Sequence, residues 1–90
     1  MKSERVEQIR ELLESALEPE SLEVEDEGHL HVGHEGAKDG RGHFRVTVVS
    51  DFFNDMPMLA RHRAIYTALD ELMQTDIHAL AIDAVAGDEL

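Results

Sequence analysis

Six histidines and no cysteine in 90 residues set the chemistry open to this chain. Without thiols it has no disulfide, no thiolate zinc site, no cysteine nucleophile and no self-contained cysteine-ligated iron–sulfur cluster. Imidazole and carboxylate are its only strong metal ligands. His29-x-His31-x-x-His34 sets three imidazoles within six positions, a spacing compatible with a metal site on a loop. A glycine-rich run also tolerates histidine at no cost, so spacing alone singles out none of the three. His62, between Arg61 and Arg63, falls on a helical apolar stripe and reads as a structural histidine. His78 opens a strand pattern on the same side as Leu80 and Ile82 and by itself would read the same way. A strand edge beside a loop can nevertheless bring His78 and a loop histidine to one rim.

Signatures of catalysis are missing. Ser3, Ser15, Ser21 and Ser50 are in no nucleophile-elbow context, and there is neither an H-E-x-x-H pair nor a phosphate loop with its lysine. Gly33-His34-Glu35-Gly36 spells the G-x-x-G backbone clamp of KH nucleic-acid domains. It lies between two strand patterns and carries Glu35 where a base would help, so it does not read as a clamp. The chain is not expected to be an enzyme.

Charge narrows the search further. The net charge of −12 argues against affinity built on neutralising phosphates. Residues 1 to 27 hold ten acids against three bases, and residues 64 to 90 hold six acids and no base. The stretch between them has four acids against Lys38, Arg41, Arg45, Arg61 and Arg63, together with five of the six histidines. That middle stretch is the one suited to an anionic ligand and the one rich in nitrogen donors.

The elements that position these groups follow from periodicity. Val6, Ile9, Leu12, Leu13, Ala16 and Leu17 recur at helical spacing, with Ser3 as N-cap and Pro19 as stop. Leu22 and Val24 alternate with Glu23 and Glu25, a short strand with one solvated face. Gly28 to Gly42 reads mainly as loop. Phe44, Val46 and Val48 alternate with His43, Arg45 and Thr47 in the best strand pattern of the chain. Asn54, Asp55 and Pro57 turn into a second helical stripe of Leu59, His62, Ile65, Tyr66, Leu69, Leu72 and Met73, with a short extra turn at Met56 to Leu59. Ile77 to Val85 reads as the last strand. With 42% hydrophobic and 31% charged residues, the 90 residues make one soluble domain, residues 1–90. The order α, β, β, α, β predicts an α+β layer, helices on one face of a three-stranded sheet. The start, MKSERVEQIR, is polar, and no run approaches the roughly 18 apolar residues of a membrane span, so a cytoplasmic protein without membrane contact is expected.

Four ordered motifs carry a resemblance: His43-Phe44-Arg45-Val46; Val49-Ser50-Asp51-Phe52-Phe53; Arg61-His62-Arg63-x-x-Tyr66; and Ile77-His78-Ala79-Leu80-Ala81-Ile82. With them the chain strongly resembles the BolA-like family. The resemblance implies an α-β-β-α-α-β fold similar to a class II KH domain, and a role in iron homeostasis without catalysis. It further implies a monothiol glutaredoxin partner and a bridging 2Fe-2S cluster, with glutaredoxin and its glutathione supplying thiolates and the BolA-like chain supplying histidines. By the family's pattern one ligand is His78, opening the last strand. The other comes from the loop between the first two strands, where the matching position is His34, with His31 and His29 as alternates. Imidazole in place of thiolate is established chemistry for iron–sulfur iron, and it must be neutral to ligate, so such a cluster is expected to be acid-labile near pH of about 6.5. Arg45, Arg61 and Arg63 are the expected contacts to the partner or, in the competing reading, to DNA, since some BolA-like proteins are linked to transcriptional regulation. Alone, the chain is expected to be a monomer or weak homodimer.

Overall fold

The structure, a computed structural model, describes residues 2–28 and 42–90. Helix α1 (Lys2–Leu17) is followed by strands β1 (Ser21–Asp26) and β2 (Gly42–Ser50) and a 3-10 turn, Asp51–Phe53. Helices α2 (Met58–Ala68) and α3 (Asp70–Thr75) then lead to strand β3 (Ile77–Ala86) and a last 3-10 turn, Gly87–Glu89. The sheet order is β1-β2-β3, with β1 antiparallel and β3 parallel to β2. Sharing a sheet with parallel strands demands a crossover, which α2 and α3 provide. This is the α+β layer and element order expected from the sequence.

Alternation on β2 decides the two faces of the sheet. Phe44, Val46, Val48 and Ser50 are buried, and the residues paired with them, such as Val24 with Val46 and Ile82 with Val46, share their face. Against that face pack Ile9, Leu13 and Leu17 of α1, Ile65 and Leu69 of the crossover, and Phe53 of the 3-10 turn. His43, Arg45, Thr47 and Val49 turn to the other face, which no described helix covers.

Three details depart from the sequence reading. Helix α1 starts at Lys2, so Ser3 lies in its first turn and does not precede it. Its end is as read: Glu18 takes the left-handed conformation at φ 44° and donates its N–H to the Glu14 carbonyl before Pro19 ends the run. The extra turn is Asp51–Phe53, not Met56 to Leu59. The one helical stripe read from periodicity is two helices, as the family resemblance implies, divided at Leu69, whose φ of −103° and ψ of 15° break the run although no glycine or proline is present. Leu69 is fully buried at that break.

The buried line of α2 is also rotated from expectation. It runs through Arg61 and Ile65, while Leu59 and Tyr66 are exposed and His62 is half-buried. Arg61 can occupy the interior because every arm of its guanidinium is engaged. Nε donates to the Met56 carbonyl at 2.8 Å, Nη1 to the Ala84 carbonyl at 3.1 Å, and Nη1 and Nη2 form a bidentate pair with Glu89 at 2.8 and 2.9 Å. The guanidinium also faces the Phe53 ring at 6.0 Å. One side chain thereby ties the entry of α2 to β3 and to the final turn.

Ser50 does similar work at the other end of the core. Its hydroxyl donates to the Leu17 carbonyl at 2.6 Å and accepts the Phe52 N–H at 3.1 Å, capping the turn and closing the end of α1 onto β2. Removing it leaves an acceptor and a donor unsatisfied beside the core. Ser50→Ala is expected to lose about 1–3 kcal/mol in denaturant unfolding; a loss within error would mean these groups find other partners. For the Arg61 pair, the guanidinium and then the Ala86 amide hold the Glu89 carboxyl down to about 2 from its ordinary 4.5. A depressed carboxyl stabilises the fold above its unfolded value, and that stability is lost as pH falls through the folded one. Unfolding of wild type and Glu89→Gln should therefore differ at pH 7 and converge as the pH is taken from about 4.5 towards 2; a gap independent of pH would refute the assignment.

Candidate functional site

His78 is put in place by an irregularity in the β2/β3 ladder. Gly42 pairs with Ile77, but the next residue, His43, pairs with Ala79. His78 is thus an extra residue in β3, a bulge of the kind that re-aims a side chain and is over-represented beside functional sites. Without it, strict alternation would put His78 on the core face with Leu80 and Ile82, as the sequence suggests. With it, Ile77 is buried and His78 is exposed, its ring against His43 with centroids 5.1 Å apart and planes inclined at 46°. The expected sharing of a face with Leu80 and Ile82 is therefore corrected: His78 belongs to the uncovered side. Glycine at position 42 is part of this arrangement, because a Cβ there would stand 2.7 Å from the Phe44 ring.

Both ring nitrogens of His43 are shielded from solvent, so of the two imidazoles His78 is the one presented outward. Beside them a shallow depression of about 250 Å³ is lined by Glu27, His43, Phe44, Ala79, Leu80 and Ala81. The Glu27 N–H donates to the His43 carbonyl at 2.7 Å, extending the β1/β2 ladder one step beyond Asp26. The described chain leaves the sheet at Gly28, whose N–H is held by the Asp26 carboxylate at 2.8 Å, and returns to it at Gly42. His29, His31 and His34 lie outside the described residues, as do Lys38 and Arg41. Among the described residues no three His, Asp or Glu side chains come together to hold a metal ion.

The three arginines have different surroundings. Arg61, expected as a contact residue, is 6% exposed and saturated by internal partners, so it is not free to meet a phosphate or a partner carboxylate. Arg45 lies on the open face between two carboxylates, Glu27 at 3.2 Å and Asp83 at 3.0 Å. Those two bonds, Glu27 first, raise its pKa further and keep it charged. Arg63 is exposed on α2. Sequence reasoning missed the packing of His43 against His78 and the place of Glu27 beside His43. The strand alternation does assign His43 to the uncovered face, but its contact with His78 depends on a bulge between segments more than 30 residues apart, which local pattern does not encode.

Comparison with known proteins agrees with this frame. Residues 13–89 match the family model described as BolA-like protein. The chain is 42% identical over 81 residues to SufE-like protein 1 of Arabidopsis thaliana, covering 84% of this chain and 22% of that relative. It therefore spans about a fifth of that protein's length. It is 43% identical over 76 residues to the protein named DNA-binding transcriptional regulator BolA of Escherichia coli, covering 84% and 70% of the two chains. The solved BolA domain of SufE1 from Arabidopsis thaliana superposes with a TM-score of 0.84 at 41% identity, covering 96% of this chain and 95% of that one. A bulged strand presenting an imidazole on the uncovered face of a three-stranded sheet is here part of a fold shared almost end to end with that solved domain, and the chain belongs to the BolA-like family.

Proposed function

We propose that this chain is a non-enzymatic partner of a monothiol glutaredoxin in iron homeostasis, co-ligating a bridging 2Fe-2S cluster with His78 and one histidine of the 29–41 segment. His34 is the assigned second ligand, with His31 and His29 as alternates. The observation that carries the reading is the bulge at His78, which turns an imidazole outward at the end of the sheet where that segment begins and ends. Glutaredoxin and its glutathione would supply the thiolates, which accounts for a chain without cysteine. His43, packed against His78, limits the directions the ligand ring can take, as outer groups commonly do around metal sites. Arg63 is exposed and suits a glutathione or partner carboxylate. A cytoplasmic setting, and a monomer or weak homodimer before the partner arrives, complete the proposal; among the described residues no helix is long and apolar enough to cross a membrane.

The second reading, DNA binding, rests on the name of the bacterial relative. Arg63 is its one exposed contact among the three proposed arginines, and the net charge of −12 opposes it. Binding of that kind would weaken with salt at a slope near −0.9 per phosphate neutralised.

Anaerobic reconstitution with a monothiol glutaredoxin, glutathione, iron and sulfide tests the primary reading through visible absorption and circular dichroism. Wild type should give a heterodimer spectrum distinct from glutaredoxin alone. His78→Ala should abolish the difference and His34→Ala should change it, with loss of the signal on acidification as protons compete with the cluster for imidazole. A spectrum that never departs from that of glutaredoxin alone would refute the cluster role.

A further inference from the structure

We infer that Arg45 is a positioning residue for the imidazole rim, holding Glu27 as a wall of the depression beside His43 and neutralising the carboxylates that an anionic ligand would meet there. The second half of this statement rests on the cluster reading; the first rests only on the geometry of the free protein.

Arg45 stands on the central strand, two residues from His43, and reaches both outer strands' sides of the open face. Nε donates to Glu27 at 3.2 Å and Nη1 to Asp83 at 3.0 Å, while Glu25 is its cross-strand neighbour on β1. Glu27 is held at two points, by its N–H on the His43 carbonyl and by its carboxylate on Arg45. Its side chain is only 21% exposed although it lies one residue past the end of β1. Without Arg45, no described group would hold the Glu27 carboxylate against the depression. Glu25, Glu27 and Asp83 would then present uncompensated negative charge on the face from which a thiolate-ligated cluster arrives. Such a group is anionic, and like charges brought together where water is being excluded repel strongly. The two bonds also explain why Arg45 is not itself a free contact for a partner.

The test uses the free protein first. Imidazole NMR signals of His43 and His78 and hydrogen exchange of the Glu27 amide are compared for wild type, Arg45→Gln, Arg45→Lys, Glu27→Gln, Asp83→Asn and the Arg45→Gln/Glu27→Gln double variant. Arg45→Gln and Glu27→Gln should shift the same imidazole signals, with no further shift in the double variant. Exchange of the Glu27 amide should quicken by up to about fivefold, the ceiling for a partly exposed ion pair. Arg45→Lys should restore part of the effect, and Asp83→Asn should leave the rim signals near wild type. Rim signals unchanged in a folded Arg45→Gln, or shifted equally by Asp83→Asn, would overturn the positioning role. With glutaredoxin and cluster components, Arg45→Gln should lower the heterodimer signal and Arg45→Lys should retain more of it. Equal signals in wild type and Arg45→Gln overturn the charge role alone. A wild type without any heterodimer signal sinks the cluster reading and the charge role together, and leaves the NMR comparison to decide the positioning.

Discussion

Every residue of β2 is paired, to β1 on one side, to β3 on the other, or to both, so its alternation governs the whole molecule. Phe44, Val46, Val48 and Ser50 must enter the helix-covered layer, and His43, Arg45, Thr47 and Val49 must therefore leave it. A shift of register by one residue would reverse both sets, burying a histidine and an arginine and exposing a phenylalanine. The core of α1, α2 and α3 thus holds the central strand in one register. By the same act it confines the polar chemistry to the face that no described helix covers.

Against that constraint the bulge at His78 is a local exception with a defined effect. It spends one residue of β3 without a partner on β2, and the strands regain register at His43 and Ala79. Because the irregularity falls at the first step of the parallel pair, the rest of the ladder, from Phe44 with Leu80 to Ser50 with Ala86, is undisturbed. The imidazole is turned outward at the end of the sheet, at the point where the chain enters and leaves the 29–41 segment. Position and orientation are set by backbone pairing and not by side-chain flexibility.

Much of this was legible in the sequence, for physical reasons. Ile9, Leu13 and Leu17 keep helical spacing up to Pro19, and Phe44, Val46 and Val48 keep strand spacing, so α1 and β2 follow from local periodicity. The motifs around His43, Arg61 and His78 carry the family resemblance, and with it the fold. What escaped were decisions made at a distance. The burial of Arg61 depends on Glu89, 28 residues away, and an arginine read locally is assigned to solvent. That assumption moved the stripe of α2 onto Leu59 and Tyr66, which are exposed. The division between α2 and α3 at Leu69, implied by the family resemblance, has no breaker residue to announce it in the local pattern; Ile65 and Leu69 are buried there.

The Arg61 clamp has a consequence beyond the interior it closes. A strand at the border of a sheet offers a row of unpaired N–H and C=O groups, a template onto which another chain can add. On β3 the carbonyl of Ala84 accepts from Arg61 and the amide of Ala86 donates to Glu89, so an acceptor and a donor two residues apart on that border are already taken. At the opposite border β1 carries Glu23 and Glu25, charges that discourage the approach of a second acidic copy. The side chains that hold α2 to the sheet also blunt its outer strand against self-association.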